Sequence, residues 1–411
     1  MTEKKKIFVW SLYDFANTSY SIIVVTFLYA VYFKETVNSN SGEGDFYWGL
    51  GTSVSMLLTA LISPVLGAVA DYTSTKKRFL SFFTVVCIIS TALLFFVGPG
   101  DVLLGLLLLI IANIGFEAGL IFYDSFLPEI TKPKNFGRVS GYGFAMGYLG
   151  SLTSLVILLP FIQNELIRES FPVAALFFLI FALPTLIFLK EKKKEIPAGE
   201  SFVKIGLNRV LFTIKHLKQY KNLAIFLLSF FCFIEGVNTV IYFAGIYATT
   251  TLGFTKGELI IFFISVQGTA ILGSVLFGII SDQIGHKKSL MITLLIWILT
   301  VLAAFWVTDK SYFYVVGFMA GGAMGSSQSI SRALMSQLTP PDKKTEFFGF
   351  YSFFGKSSAV IGPLVFGIIS TVTGSQRYAI LSLLFFFIAG IIVLSFVNDQ
   401  HNESSTEPRT P

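Results

Sequence analysis

Apolar residues run along this chain in long unbroken stretches rather than in alternation. Twelve stretches stand out, at residues 7–33, 47–70, 79–97, 102–126, 137–160, 171–189, 223–248, 257–281, 287–307, 311–335, 346–372 and 377–397. A helix needs about 20 such residues to cross the hydrocarbon core of a bilayer. Continuous runs also exclude the alternating pattern of an outer-membrane barrel. The pattern predicts an all-α membrane protein with twelve transmembrane helices. Short polar loops separate the runs, with one exception. Segment 190–221, between the sixth and seventh runs, carries Lys190, Lys192, Lys193, Lys194, Lys204, Arg209, Lys215, Lys218 and Lys221. It reads as a basic amphipathic helix lying on the membrane surface. The expected organisation is therefore a six-helix bundle over 1–189, a basic linker over 190–222, a second bundle over 223–397 and a disordered tail over 398–411.

The two halves repeat one another. Gly67-Ala-Val-Ala-Asp71, followed by Lys76-Lys77-Arg78, returns 211 residues later as Gly278-Ile-Ile-Ser-Asp282, followed by Gly285-His286-Lys287-Lys288. Phe136-Gly137, Gly143 and Gly150 align with Phe348-Gly349, Gly355 and Gly362 at an offset of 212, as does Pro128 with Pro340. Asp14-x-x-Asn17 in the first run has a partner in Glu235-x-x-Asn238 in the seventh. Four matches in order point to duplication. Two pseudo-symmetric six-helix bundles related by an axis along the membrane normal would place a binding site between them.

Composition agrees that the solvent is lipid: 54% of the 411 residues are apolar and 13% charged. The formal charge of +6 follows the loops. Lys34, Arg168, Lys256, Lys310 and Arg377 fall on one side, and Arg332 and Lys356 fall within runs. The remaining Lys and Arg lie at the N-terminus, in alternate loops, in the linker and in the tail. The positive-inside rule then puts both termini and the linker in the cytoplasm and residues 34–46 in an external loop. Basic residues confined to such loops argue against nucleic-acid binding. Cys87 and Cys232 lie inside apolar runs and read as unpaired thiols. The first run is too long for a signal peptide and reads as a retained helix.

Two sets of residues carry candidate chemistry. Asp71 and Asp282 each end a helix, where the backbone dipole is already negative. Each needs a positive partner: the start of the eleventh helix for Asp71 and the start of the fifth for Asp282. Gly67 and Gly278, one turn earlier, would permit close helix approach. Such contacts would form a cytoplasmic gate; the alternative is a loop carboxylate paired with its own lysines. The second set lies within the membrane, where an ionisable group is costly unless paired or wetted. Asp14, Glu117, Glu235 and Arg332 fall on the first, fourth, seventh and tenth helices, with Lys356 on the eleventh. Asn17 and Asn238 share a face with Asp14 and Glu235. Burial favours the neutral form of a carboxyl group, which suits Glu117 or Glu235 to proton exchange. Arg332 and Lys356 would hold a substrate carboxylate. Structural salt bridges between helices are the competing account. No phosphate loop, zinc signature or Ser-His-Asp arrangement is present, so no catalytic residue, metal or cofactor is expected. The expected partners are a small-molecule substrate, protons and the bilayer, with the chain acting as a monomer.

The motif Gly278-x-x-x-Asp282-x-x-Gly285-x-Lys287-Lys288 resembles the loop motif of the major facilitator superfamily. Within it, Tyr13-Asp14-Phe15-Ala16-Asn17-Thr18-Ser19-Tyr20 resembles the opening of the vacuole-effluxer (autophagy-related) family. So do Tyr123-Asp-Ser-Phe-Leu-Pro128, the glycine-rich stretch from Ser140 to Gly150, Ser329-Ile-Ser-Arg332 and Phe347-Phe-Gly-Phe-Tyr-Ser-Phe-Phe-Gly-Lys356. The resemblance implies a secondary transporter working by alternating access, with proton-linked export of amino acids as the favoured activity. A sugar, muropeptide or lipid-like cargo is the alternative, and a membrane sensor or scaffold is the reading outside transport. Two departures stand out: Glu235-Gly236 where that family has Asp-Gly, and Tyr72 after Asp71 where the superfamily has a basic residue. The compact loops suggest a prokaryotic plasma membrane.

Overall fold

The computed structural model describes residues 1–38, 43–191, 201–358 and 361–398, and their regular elements are all helical. Helix α1 (Glu3–Tyr20) continues as far as Val37 through two segments of π-type geometry, Ser21–Phe27 and Phe33–Val37. There follow α2 (Gly44–Thr73), α3 (Lys76–Leu93), α4 (Val102–Asp124), α5 (Phe136–Gln163) and α6 (Ile167–Phe188). The linker contributes α7 (Phe202–Lys215). The second half holds α8 (Lys221–Thr250), α9 (Lys256–Ile284), α10 (His286–Trp306) and α11 (Lys310–Leu338). It closes with α12 (Lys344–Ser358), α13 (Ile361–Thr373) and α14 (Gln376–Ser395).

Among the described residues, 11 helical runs are long and apolar enough to cross a membrane. The remaining expected span is α11, which has 29 residues but carries Ser326, Ser327, Ser329, Ser331 and Arg332, all buried. Large apolar side chains such as Leu57, Phe82, Leu103, Val156 and Leu272 stand exposed. In water they would be driven inward; here they face a hydrocarbon solvent. The chain is a multi-pass integral membrane protein.

One sequence boundary needs correction. The expected external loop 34–46 is much shorter, because helix persists to Val37 and resumes at Gly44. Phe33 and Val37 are buried, so that turn gains by staying helical. Among the described linker residues, an α-helix spans Phe202–Lys215, and a 3-10 turn, Leu217–Tyr220, leads into α8. Ile205, Gly206 and Thr213 of α7 are buried while Phe202, Val203, Leu207 and Leu211 are exposed, an amphipathic helix. The eleventh run is described as α12 and α13, with residues 359–360 between them outside the described set. Linker residues 192–200 and tail residues 399–411 also lie outside it.

Contact density divides the chain into two units. The first comprises 1–131, 143–213 and 340–357; the second comprises 132–142, 214–339 and 358–411. In the first, α3 packs on α4, α1 on α6, α2 on α4 and α3 on α6. In the second, the corresponding pairs recur: α10 on α11, α8 on α14, α9 on α11 and α10 on α14. Duplication is thus visible in packing as well as in sequence.

Local signals explain the helix ends near the duplicated motif. α2 stops at Ser74 (φ 48°) and α9 at Gly285 (φ 97°), residues that stand 211 apart. α9 opens with a capping box in which Thr255 Oγ1 accepts the Glu258 N–H at 3.3 Å and Glu258 Oε2 accepts the Thr255 N–H at 2.8 Å. α3 begins with three cations, Lys76-Lys77-Arg78, at the positive end of its dipole. Glu191 offsets them by accepting the Lys76 and Lys77 N–H groups at 3.0 and 3.1 Å. Burial pushes the Glu191 carboxyl above the usual range, against the pull of those two donors.

Candidate transport site and gates

Asp71, near the end of α2, accepts the Glu346 N–H at 2.8 Å from the first turn of α12. Gly67 lies against the Thr345 carbonyl, which a Cβ at Gly67 would overlap. Asp282, in the last turn of α9, accepts the Gly137 N–H at 2.7 Å, the Arg138 N–H at 3.2 Å and Arg138 Nε at 2.6 Å. A Cβ at Gly278 would stand 2.6 Å from the Gly137 oxygen. The partners of both carboxylates therefore come from helix N-termini far along the chain, where free N–H groups and dipole favour an anion. The Asp282 side chain is 1% exposed and that of Arg138 is 40% exposed.

These contacts revise the register of the repeat. A Cβ at Gly141 would overlap the Ser274 carbonyl, and one at Gly349 the Ser63 carbonyl. Ser63 and Ser274 are equivalent at the offset of 211, so Gly141 matches Gly349 and the offset between α5 and α12 is 208. The alignment of Phe136-Gly137 with Phe348-Gly349, and of Gly143 with Gly355, is thus one helical turn out. It holds farther along, where Gly150 abuts the Phe15 carbonyl and Thr18, and Gly362 abuts Glu235 and Thr239. Four residues are close to one turn, so glycine spacing presents nearly the same face in either register. In the structural register Arg138 corresponds to Glu346.

The intramembrane candidates divide between the units. In the first, Glu117 of α4 forms an ion pair with Lys356 of α12, with side chains 6% and 24% exposed. Asp14 and Asn17 of α1 are buried. Among the described residues, Asn17 Nδ2 has no hydrogen-bond partner, nor has the Tyr20 hydroxyl one turn later. The Tyr20 ring lies 5.1 Å from Phe116, next to Glu117. In the second unit, Glu235 of α8 is buried; Oε1 accepts the Gly362 N–H, and Oε2 has no partner among the described residues. Asn238, one turn on, is half-buried. Arg332 of α11 is buried and donates from Nε to Ser140 Oγ at 2.9 Å and from Nη2 to the Ser140 carbonyl at 2.9 Å. Ser140 Oγ in turn donates to the Ser329 carbonyl at 2.7 Å.

Sequence reasoning placed Lys356 and Arg332 as holders of a substrate carboxylate, but here Lys356 holds Glu117 and Arg332 holds Ser140. It did not single out Arg138, Ser140, Arg209, Thr213 or Glu346. Glu346 stands in Asp342-Lys-Lys-Thr-Glu346, which reads as a solvated charge cluster, yet it is fully buried.

Comparison with known proteins places this arrangement. A model of the family described as "Vacuole effluxer Atg22 like" matches residues 47–136 and 132–407. An uncharacterized MFS-type transporter, YxiO of Bacillus subtilis (strain 168), is 31% identical over 97% of this chain and 95% of its own length. Autophagy-related protein 22 of Kluyveromyces lactis is 23% identical over 83% of this chain and 77% of its own. Among solved structures, the human organic anion transporter MFSD10 (TETRAN) superposes with a TM-score of 0.77 at 14% identity, covering 96% of this chain and 100% of its own. The proton:xylose symporter XylE does so with 0.75 at 15% identity, covering 97% and 96%. These two likenesses establish a major facilitator fold.

Proposed function

Because the chain belongs to the vacuole effluxer Atg22-like family within the major facilitator superfamily, we propose that it exports amino acids by alternating access, each passage linked to a proton. It is a transporter rather than an enzyme. The observation that carries the substrate class is the Glu117–Lys356 ion pair. Taking two charges out of water is expensive, and their attraction offsets that cost only while both remain paired. A zwitterion brings one charge of each sign. Its ammonium can replace Lys356 at Glu117 while its carboxylate replaces Glu117 at Lys356, so the site never holds an uncompensated charge. Asn17 Nδ2 and the Tyr20 hydroxyl are spare polar groups on the facing stretch of α1.

Glu235 is the proton site in this reading. One oxygen is held by Gly362 and the other has no partner among the described residues, so a proton can come and go without breaking a contact. Asp71 and Asp282 gate the cytoplasmic side, and the termini and linker face the cytoplasm of a prokaryotic cell. The distribution of Lys and Arg supports that orientation, and the Bacillus relative supports that membrane. The name of the family supports export.

Proteoliposomes loaded with a panel of labelled amino acids test the reading. Transport of at least one should follow an imposed pH gradient. Glu235→Gln should move it only down its own gradient, and Glu117→Gln and Lys356→Met should each abolish movement. Failure to move any amino acid, or pH-indifferent transport unchanged in Glu235→Gln, would sink the proposal.

A further inference from the structure

The two gates place their cation differently. Around Asp282 it is Arg138, carried by the gate helix α5 itself. At the equivalent place on α12 stands Glu346, an acid, whose own N–H serves Asp71. An acid there would repel Asp71 unless its charge were taken up elsewhere, and it is taken up by the linker helix together with Lys343. Glu346 is fully buried and accepts a hydrogen bond from the Thr213 hydroxyl of α7. Arg209 Nε of α7 lies 3.6 Å from its other oxygen, and Lys343 Nζ lies 3.6 Å from Oε1. Lys343 also donates to Thr213 at 2.7 Å. The helix is seated tightly: a Cβ at Gly206 would stand 2.7 Å from Val69 and 3.0 Å from Val65, both on the same helix as Asp71.

We infer that Arg209 and Thr213 of the linker helix, acting through Glu346, are positioning residues for the Asp71 gate: α7, together with Lys343, balances the acid that stands where α5 carries its cation. The first turn of α12 presents its N–H to Asp71 only while the Glu346 side chain is held away from that carboxylate. Like charges brought together at this buried place would drive α2 and α12 apart. The inference rests on the gate reading above, and the two can fail separately.

Hydrogen–deuterium exchange of the full-length protein in lipid nanodiscs reads both gates at once, in segments 341–349 and 134–141. Arg209→Ala and Thr213→Val should each speed exchange in 341–349 about fivefold, the size of effect expected for one partly exposed ion pair or hydrogen bond. Segment 134–141 should stay at the wild-type rate. Glu346→Arg puts the cation on the gate helix, as in the second gate, and should make exchange in 341–349 indifferent to Arg209→Ala. A variant that merely loosens the fold would speed both segments; Arg209→Gln and Thr213→Ala then carry the same expectation. Wild-type exchange in Arg209→Ala and Thr213→Val, with faster exchange in Asp71→Asn, would overturn the linker's role and leave the gate standing. No change in Asp71→Asn would remove the gate itself.

Discussion

Replacing Asp282 by Asn should open the α5–α9 contact more than the matching change at Asp71 opens its own, because one donor to Asp282 is the charged Arg138. Asp282 holds three donors, two main-chain N–H groups and Arg138 Nε. Hydrogen bonds to a charged acceptor contribute about 1.5–3 kcal/mol against about 0.5–1.5 for neutral ones, so each contact loses about 1 kcal/mol with the charge. The share from Arg138 is discounted, because that side chain is 40% exposed and screened by solvent. The amide also turns a donor of its own toward N–H groups. The loss comes to about 2–3 kcal/mol, or a roughly 30- to 150-fold larger open population. Asp71 receives the Glu346 N–H at 2.8 Å together with the main chain and hydroxyl of Thr345, none of them charged, so Asp71→Asn should lose about 1–2 kcal/mol, a roughly five- to thirtyfold effect. Thiol labelling reads each contact. In a background of Cys87→Ser and Cys232→Ala, Ser274→Cys reports on α5–α9 and Ser63→Cys on α2–α12; both serines are fully buried against the opposing glycines. A membrane-impermeant maleimide should label Ser274→Cys about 30 to 150 times faster with Asp282→Asn, and Ser63→Cys only about 5 to 30 times faster with Asp71→Asn. Equal effects, or an Asp282→Asn effect below fivefold, would refute the reasoning.

Two further outcomes follow from the same contacts. Glu117→Gln and Lys356→Met should each lower the thermal midpoint by stranding a charge, at about 2–3 kcal/mol because Lys356 keeps some solvent, whereas the double variant should lose less than the sum by at least about 1 kcal/mol; additive losses would show that the pair does not couple. Gly285→Ala forces a Cβ into φ 97°, ψ 142° and should cost about 1–3 kcal/mol, while Ser74→Ala, already in the left-handed region with a side chain, should stay within about 0.5 kcal/mol; equal losses in the two variants would contradict the turn geometry.

What the sequence revealed depended on which physical constraint wrote it. Lipid imposes both a length and an apolar composition, so the spans were legible from hydropathy, and loop charge supplied an orientation. Run edges were less legible, because helices continue into the headgroup region on polar residues: α3, α9 and α12 begin at Lys76, Lys256 and Lys344. The helix starts that serve Asp71 and Asp282 could be named because a terminal carboxylate needs a positive dipole. The register of α12 could not, since a shift of four residues preserves the glycine face. Nor could Glu346 be recognised as buried, because its partners Arg209 and Thr213 lie more than a hundred residues away on a helix that itself reads as lying on the membrane surface.

The intramembrane charges differ most in how fully each is satisfied, and that difference sorts their roles. Arg332 donates to both the side chain and the main chain of Ser140, and Ser140 is itself tied to Ser329. Displacing it would strand several buried polar atoms at once, at about 1–3 kcal/mol each, more than the ammonium and carboxylate of a small solute can replace. It is an anchor between α5 and α11. Glu235 is half satisfied, a state that costs little to change by one proton. The Glu117–Lys356 pair lies between these extremes: a single ionic contact, partly wet on the Lys356 side. A zwitterion can exchange into such a pair because it returns to each partner what it removes. A neutral sugar would leave both charges buried and unpaired, and an apolar lipid would do the same. Under the proposed exchange at Glu117 and Lys356, the charge inventory disfavours cargoes that part the pair without replacing either charge.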